Sequence, residues 1–107
     1  VTVQVPGNTL PAMLAALGHE ARLEIYRLLV RVGEEGLNIG DIGSHLGLPA
    51  STLSHHLSCL VDAGLVKQDR QGRQVFNRVD FEVMNQTVAF LTDECCKGLA
   101  APDRNAA

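Results

Sequence analysis

The chain has 107 residues, which is enough for one domain with a modest hydrophobic core. Hydrophobic residues make up 46% of the chain, but only 4% are aromatic and none is Trp, so the core must consist mainly of Leu, Val, Ile and Ala. A net charge of −3 argues against a uniformly basic nucleic-acid binder, and three cysteines are an odd number, which argues against a disulfide framework. No apolar run approaches the roughly 18 residues that a membrane span needs. The N-terminus shows no basic stretch followed by an apolar stretch, the pattern of a signal peptide. We therefore expect a soluble cytoplasmic protein with reduced thiols.

Helical spacing of apolar residues dominates the first two thirds of the chain. Residues 1–7 are expected to form a flexible arm, and the stripe that follows predicts a first helix over residues 10–17, capped by one of the two polar residues before it. Further helices are predicted over residues 19–32, 38–46 and 50–63, each followed closely by a glycine.

The third and fourth predicted helices are joined by a short Gly-containing turn, so they form a helix-turn-helix unit whose second member would be the recognition helix. Short hydrogen-bonding side chains there can approach base edges and phosphates closely, so we predict DNA contacts from Ser51, Thr52, Ser54, His55 and His56. Adjacent histidines cannot share one helix face, so one is expected to face DNA while the other packs or reaches a phosphate. The alternative is that the hydroxyl residues only cap the helix.

A hairpin is predicted next, with two strands around a Gln71-Gly72 turn. Between residues 67 and 78 there are four basic residues and one acid, a local charge of +3. A basic hairpin directly after a helix-turn-helix is typical of a wing, and we expect Arg70 and Arg73 at its tip to contact phosphates or the minor groove. By itself, such a hairpin would be better interpreted as an ordinary solvated surface.

A last helix is predicted from a cap at Asp80 to about Cys96, with a flexible tail over residues 98–107. Its apolar residues follow steps of three and four, which is a heptad-like seam and predicts a two-fold dimer. The seam consists of Phe81, Met84, Val88, Leu91 and Cys95.

This order of elements resembles the ArsR family of winged-helix repressors, over roughly residues 9–97. The resemblance implies a mainly α winged helix-turn-helix domain (residues 8–97) that dimerises through its first and last helices. It also implies that the helix beginning near Ser51 enters the major groove of operator DNA while the wing touches the backbone. The stretches that carry it are Ala21-Arg22-Leu23-Glu24-Ile25 with Leu28-Leu29, Ser51-Thr52-Leu53-Ser54-His55-His56-Leu57, Leu60 with Ala63-Gly64-Leu65-Val66, and Arg70-Gln71-Gly72-Arg73.

Members of this family differ in where the inducer binds. One type carries a Cys-x-Cys pair before the recognition helix, but residues 37–42 contain no Cys; another uses zinc ligands along the last helix, but residues 80–94 contain no His. A third type ends the last helix with a phrase like Phe-Leu-Thr-x-x-Cys-Cys, and this chain has Phe90-Leu91-Thr92-Asp93-Glu94-Cys95-Cys96. That likeness implies that trivalent arsenic is the inducer and that Cys95 and Cys96 bind it.

Thiolates are soft donors that prefer soft, thiophilic centres. Trivalent arsenic commonly makes three bonds to sulfur, and the third donor beside Cys95 and Cys96 could be a small-molecule thiol, a water-derived oxygen or Cys59. Methylarsenite needs only two thiols, so arsenite and methylarsenite both stay open as inducers, as does trivalent antimony. The alternatives are that the pair is two small residues ending a helix, or a redox sensor, and that Cys59 is an inert, half-buried thiol.

The function predicted from the sequence is a homodimeric repressor that binds double-stranded operator DNA. It would be released when trivalent arsenic binds Cys95 and Cys96 and unwinds the last helical turn. A thiol-redox repressor of the same fold is the alternative. An enzyme is not expected, because reactive cysteines usually lie at helix starts or in Cys-x-x-Cys motifs, whereas this pair follows a helix, whose dipole disfavours thiolate at that end.

Overall fold

The computed structural model describes residues 10–100 and consists of five helices with a two-stranded antiparallel hairpin between the fourth and the fifth. The predicted mainly α fold with a small hairpin is thereby confirmed. The predicted arm, the cap of the first helix and most of the predicted tail lie outside the described residues. The elements are α1 (Leu10–Leu17), α2 (Glu20–Val32), α3 (Ile39–Leu46), α4 (Ala50–Asp62), β1 (Val66–Gln71), β2 (Gln74–Val79) and α5 (Phe81–Thr92).

Side-chain caps fix where α2 and α3 begin. Nδ1 of His19 accepts a hydrogen bond from the backbone N–H of Ala21 at 3.1 Å, and Oδ1 of Asn38 accepts from the N–H of Asp41 at 2.8 Å. Each bond satisfies an N–H that has no partner within its helix. By contrast, α4 begins after Pro49 without a side-chain cap, so Ser51 lies inside the helix and does not cap it.

The hydrophobic core lies where α1, α2 and α4 meet the base of the hairpin. Burial follows the predicted helical stripes, because residues three and four apart share a face. The largest buried apolar side chains are Met13, Ile25, Leu29, Ile42, Leu53, Leu60, Leu65 and Val79.

The hairpin closes through a two-residue loop, Gly72 and Arg73, with Gln71 paired to Gln74. The turn therefore lies one residue later than predicted. Gly72 has φ +64°, as the first central position of a type II′ turn requires. At its base the hairpin gains a further partner, because Leu37 pairs with Asn77 through backbone hydrogen bonds of 2.9 and 2.8 Å.

The last helix is shorter than predicted, since α5 ends at Thr92 and residues 93–96 form turns. Asp93 and Glu94 place negative charge at the negative end of the helix dipole, and no basic residue in the last turn offsets it. Oγ1 of Thr92 also donates to the carbonyl of Val88 at 2.9 Å. The prediction that helix continues to Cys96 is therefore wrong.

The predicted seam on α5 divides into two parts. Phe81 and Met84 pack against the domain's own core, whereas Val88 and Leu91 are exposed and Cys95 lies beyond the helix. Within residues 10–100, no helix has the length and apolar character that crossing a membrane requires.

Candidate DNA interface and thiol site

One face of α4 carries short polar side chains into solvent. Ser51, Ser54 and His55 are exposed, and Thr52 is half-buried beside them. Ser58 is exposed at the next helical step from Ser54, so it shares this face. Sequence reasoning missed Ser58, although its spacing from Ser51 and Ser54 could have indicated it.

A cleft of about 520 Å³ separates this face of α4 from the hairpin. Ser54 and Ser58 line it from α4, while Arg73 and Gln74 line it from the hairpin. The amide of Asn38 donates to Oε1 of Gln74 at 3.2 Å, which ties the hairpin to the start of α3. Polar groups from both halves therefore converge on one opening.

The charge of the hairpin is less uniform than its composition suggests. Nζ of Lys67 lies 3.5 Å from a carboxylate oxygen of Asp80, and Arg78 forms ion pairs with Asp69 and Glu34. Side-chain hydrogen bonding to Asp69 raises the pKa of Arg78 further, so this guanidinium stays charged but is compensated.

Arg70 and Arg73, in contrast, are exposed and make no ion pair within residues 10–100. Among the basic residues of the hairpin, the charge that remains available to an external phosphate is therefore at the tip.

The two adjacent histidines of α4 have different surroundings. His55 is exposed, whereas His56 retains only 8% of its accessible surface. The ring of His56 packs against that of His19, with 4.7 Å between centroids. A DNA contact by His56 would require this packing to open, so the two rings divide as expected into one that faces outward and one that packs, and a DNA contact by His56 stays a prediction.

The thiols of Cys95 and Cys96 converge in the turns after α5. Their Sγ atoms lie 3.0 Å apart and both residues are exposed. Cys96 has φ +66° and Glu94 has φ +60°, and this backbone brings together side chains that would diverge by about 100° on a helix. The hydrogen bond with Cys96 raises the pKa of the Cys95 thiol.

Cys59 is half-buried in α4 and does not join this pair. Across residues 10–100, no three Cys, His, Asp or Glu side chains gather as metal ligands would. This conformation of one chain thus does not bring Cys59 to the pair, and its role as a third ligand stays a prediction.

Large apolar side chains remain exposed on α1 and on α5, the helix that precedes the thiol pair. Val88, Phe90 and Leu91 on α5 are 56%, 43% and 57% exposed, and Leu14 on α1 is 41% exposed. These four exposed side chains are called the α1/α5 apolar surface below.

Comparison with known proteins gives a consistent result. Residues 17–69 match a family described as a helix-turn-helix domain. The chain is 30% identical over 94 residues to the HTH-type transcriptional regulator YgaV of Escherichia coli, covering 88% of this chain and 93% of that protein. It also superimposes on an ArsR-like transcriptional regulator from Rhodococcus sp. RHA1, with a TM-score of 0.68 and 28% identity over 77% of this chain and 74% of the other.

The chain belongs to the ArsR family of winged helix-turn-helix transcriptional regulators. A second solved structure, described as a possible transcriptional regulator for arsenical resistance, matches with a TM-score of 0.63 and 26% identity over 75% of this chain and 80% of the other. This ArsR-family protein is therefore a DNA-binding regulator, and its relatives are regulators rather than enzymes.

Within this ArsR-family frame, α3 and α4 are the helix-turn-helix and the hairpin is the wing. Sequence reasoning identified the exposed hydroxyl groups, both tip arginines and the vicinal thiols. It did not identify the buried state of His56 or the carboxylate partners of Lys67 and Arg78. Those depend on contacts between distant segments, such as the 44-residue separation of Arg78 from Glu34.

Proposed function

We propose that this protein is a cytoplasmic, homodimeric repressor that leaves its operator when trivalent arsenic binds Cys95 and Cys96. The 3.0 Å approach of two exposed thiols is the observation that carries the proposal. The similarity to a regulator described in connection with arsenical resistance supports it. Methylarsenite, arsenite and trivalent antimony are the candidate inducers.

DNA binding is assigned to the polar face of α4 and the tip of the wing. Ser51, Thr52, Ser54 and His55 would approach base edges and phosphates in the major groove. Arg70 and Arg73 would contact the backbone or the minor groove. His56 is left out because it is buried.

Dimerisation is assigned to the α1/α5 apolar surface. Four large apolar side chains exposed on two helices are costly in water, and a second copy would cover them. A two-fold dimer would present two recognition helices to a two-fold symmetric operator.

The thiols can exchange with a neutral arsenic hydroxide without a redox step. Each S–H proton leaves with one hydroxide as water, and each sulfur takes the place of that hydroxide on arsenic. Two thiols fill two positions, which satisfies methylarsenite fully, whereas arsenite keeps one hydroxide or takes a small-molecule thiol.

Inducer binding would act through the turns at residues 93–96. These turns follow directly after the exposed part of α5, so a ligand that fixes them can shift the α1/α5 apolar surface. No unwinding of α5 is needed, because the helix already ends at Thr92. A coupling of about 1–3 kcal/mol would suffice for roughly 5- to 150-fold release.

Fluorescence anisotropy on DNA from upstream of the protein's own gene tests the proposal. The protein is kept reduced with a non-thiol reductant and titrated with arsenite, methylarsenite and antimonite separately. We expect release, its loss in the Cys95→Ser/Cys96→Ser variant, and normal release in the matched Cys59→Ser control. Release by peroxide but by no metalloid would favour the thiol-redox alternative and contradict the proposal.

A further inference from the structure

His56 lies in the contact between α4 and the beginning of α2. Its ring centroid is 4.7 Å from that of His19, with the ring planes inclined by 44°, and 5.5 Å from that of His55. His19 is the N-cap of α2, so the His19–His56 contact joins the recognition helix to the start of another helix.

The environment of His56 disfavours a proton. The residue is 92% buried, and its Nδ1 atom has no hydrogen-bond partner within the described residues. Burial, and then the charges of His19, Arg22 and His55, lower the pKa of His56 below its usual value of 6.5. No carboxylate is among the groups that shift it, so nothing compensates a charge at this position.

Arg22 is held beside this contact. Its Nε atom donates to the backbone carbonyl of Ala16 at 2.6 Å, which tethers the guanidinium to the end of α1. A proton on His56 would therefore meet a fixed positive charge from α2 in addition to the two neighbouring histidines.

His19 has a second role in this contact. Its Nδ1 accepts the hydrogen bond from the N–H of Ala21 at 3.1 Å and so caps α2. The ring against which His56 packs therefore also fixes the beginning of α2.

We propose that His56 is a positioning residue for the recognition helix and acts with His19 as a proton-sensitive joint between α4 and α2. The neutral pair holds α4 in the orientation that presents Ser51, Ser54 and His55. Proton uptake loosens the joint and lowers operator affinity. The joint is separate from the thiol site and operates without any inducer.

The direction of the pH effect follows from linkage. The unfolded chain binds a proton at the ordinary histidine value, whereas folded His56 binds it only at lower pH. The stability associated with neutral His56 is therefore fully present above about pH 6.5 and is lost as the pH falls below that value.

Variants that cannot titrate test the joint. In His56→Phe an aromatic ring fills the buried site, and in His19→Asn a side-chain oxygen keeps the cap. The exposed His45→Asn variant is the matched control. Urea unfolding and operator affinity are measured from about pH 8 to about pH 5.5 at constant ionic strength, a range that spans histidine titration.

We expect the wild type and His45→Asn to lose stability on acidification, and the His19→Asn/His56→Phe variant to lose much less. On acidification we also expect the operator affinity of the wild type to fall by about threefold or more relative to that of the double variant. The double variant is the reference because His55 is present in both proteins, so its effect on DNA binding cancels. Equal pH slopes of unfolding, or an unchanged affinity ratio, would overturn the proposal.

A measurement on the unaltered protein covers the case in which His56→Phe fails to fold. NMR titration of the His56 ring protons is expected to show protonation below the usual histidine value, together with a perturbation of the amide of Ala21. Ordinary titration of His56, with no response at Ala21, would contradict a joint between the two rings.

Discussion

Gly36 lies directly against the backbone of Asn77, so that a Cβ atom on Gly36 would come within 2.5 Å of the Asn77 carbonyl oxygen. The contact exists because Leu37 pairs with Asn77 through an isolated antiparallel bridge at the edge of the wing. Nδ2 of Asn77 also donates to the carbonyl of Leu37 at 3.1 Å. The wing and the start of α3 are thereby held as one unit.

Gly36→Ala is expected to destabilise the protein by about 2 kcal/mol or more, because φ at this position is +71° and the added methyl group meets backbone. Urea denaturation measures the loss. Gly72→Ala is the matched control, since Gly72 has φ +64° but open space around it. Equal losses in both variants would show that the approach to Asn77 carries no cost.

Asp80→Ala is expected to lower stability by about 1 kcal/mol through loss of the α5 cap, since Oδ1 of Asp80 accepts from the N–H of Val83 at 3.2 Å. Asp80→Asn keeps an acceptor there but loses the ion pair with Lys67. We expect Asp80→Asn to retain most of the stability in thermal or urea unfolding. A larger loss in Asp80→Asn than in Asp80→Ala would refute the capping role.

The Arg70→Ala/Arg73→Ala double variant is expected to bind the operator more weakly. The slope of log affinity against log salt concentration should fall in magnitude by about 2 for each subunit, because each lost phosphate contact removes roughly one unit from that slope. Anisotropy titrations at several salt concentrations give that slope. Lys97→Ala, an exposed cation beyond α5, serves as the control. An unaltered slope in the double variant would exclude the wing tip from DNA.

Leu91→Glu is expected to raise the dimer dissociation constant by about a hundredfold or more, because the two-fold contact would bury an unpaired charge from each copy. Analytical ultracentrifugation across a concentration series measures this. Leu99→Glu places the same charge on a fully exposed residue outside the helices and should leave assembly unchanged. If both variants assemble like the wild type, the α1/α5 apolar surface is not the subunit contact.

Metalloid binding at Cys95 and Cys96 is expected to vary little with pH between about pH 6 and about pH 8, because thiol protons leave as water with arsenic-bound hydroxide. Oxidation needs thiolate, and the hydrogen bond between the two thiols raises the pKa of Cys95, so oxidation should accelerate about tenfold per pH unit over this range. Direct binding measurements on protein without DNA, run beside peroxide kinetics, separate the two. A tenfold rise of metalloid affinity per pH unit would contradict the exchange of neutral thiols with arsenic-bound hydroxide.

Much of the fold could be predicted because its signals are local. Caps such as Asn38, glycines after helices and apolar residues at helical spacing located α1 to α4 within a residue or two. The wing followed from the turn signal at Gln71-Gly72. These features depend on residues only a few positions apart, and so they are visible in a single sequence.

The structure differs from the sequence-based predictions where local geometry depends on contacts between distant residues or on charge. The end of α5 depends on two acids that oppose the helix dipole, which the apolar spacing of Leu91 and Cys95 hides. The burial of His56 depends on its partner His19, which lies 37 positions away in the sequence. The thiol pair itself was correctly located along the chain, while its geometry followed from the unexpected turn.

Because Cys95 and Cys96 follow α5, the proposed inducer-sensing chemistry would occupy a short segment outside the helices. Its side chains contribute nothing to the buried core. Substitutions at those few positions would change the inducer to which the protein responds. The candidate DNA-binding face of α4 and the wing would keep their shape. If the proposed roles hold, the part of the chain that could diversify between environments is separate from the part that must stay matched to one DNA sequence.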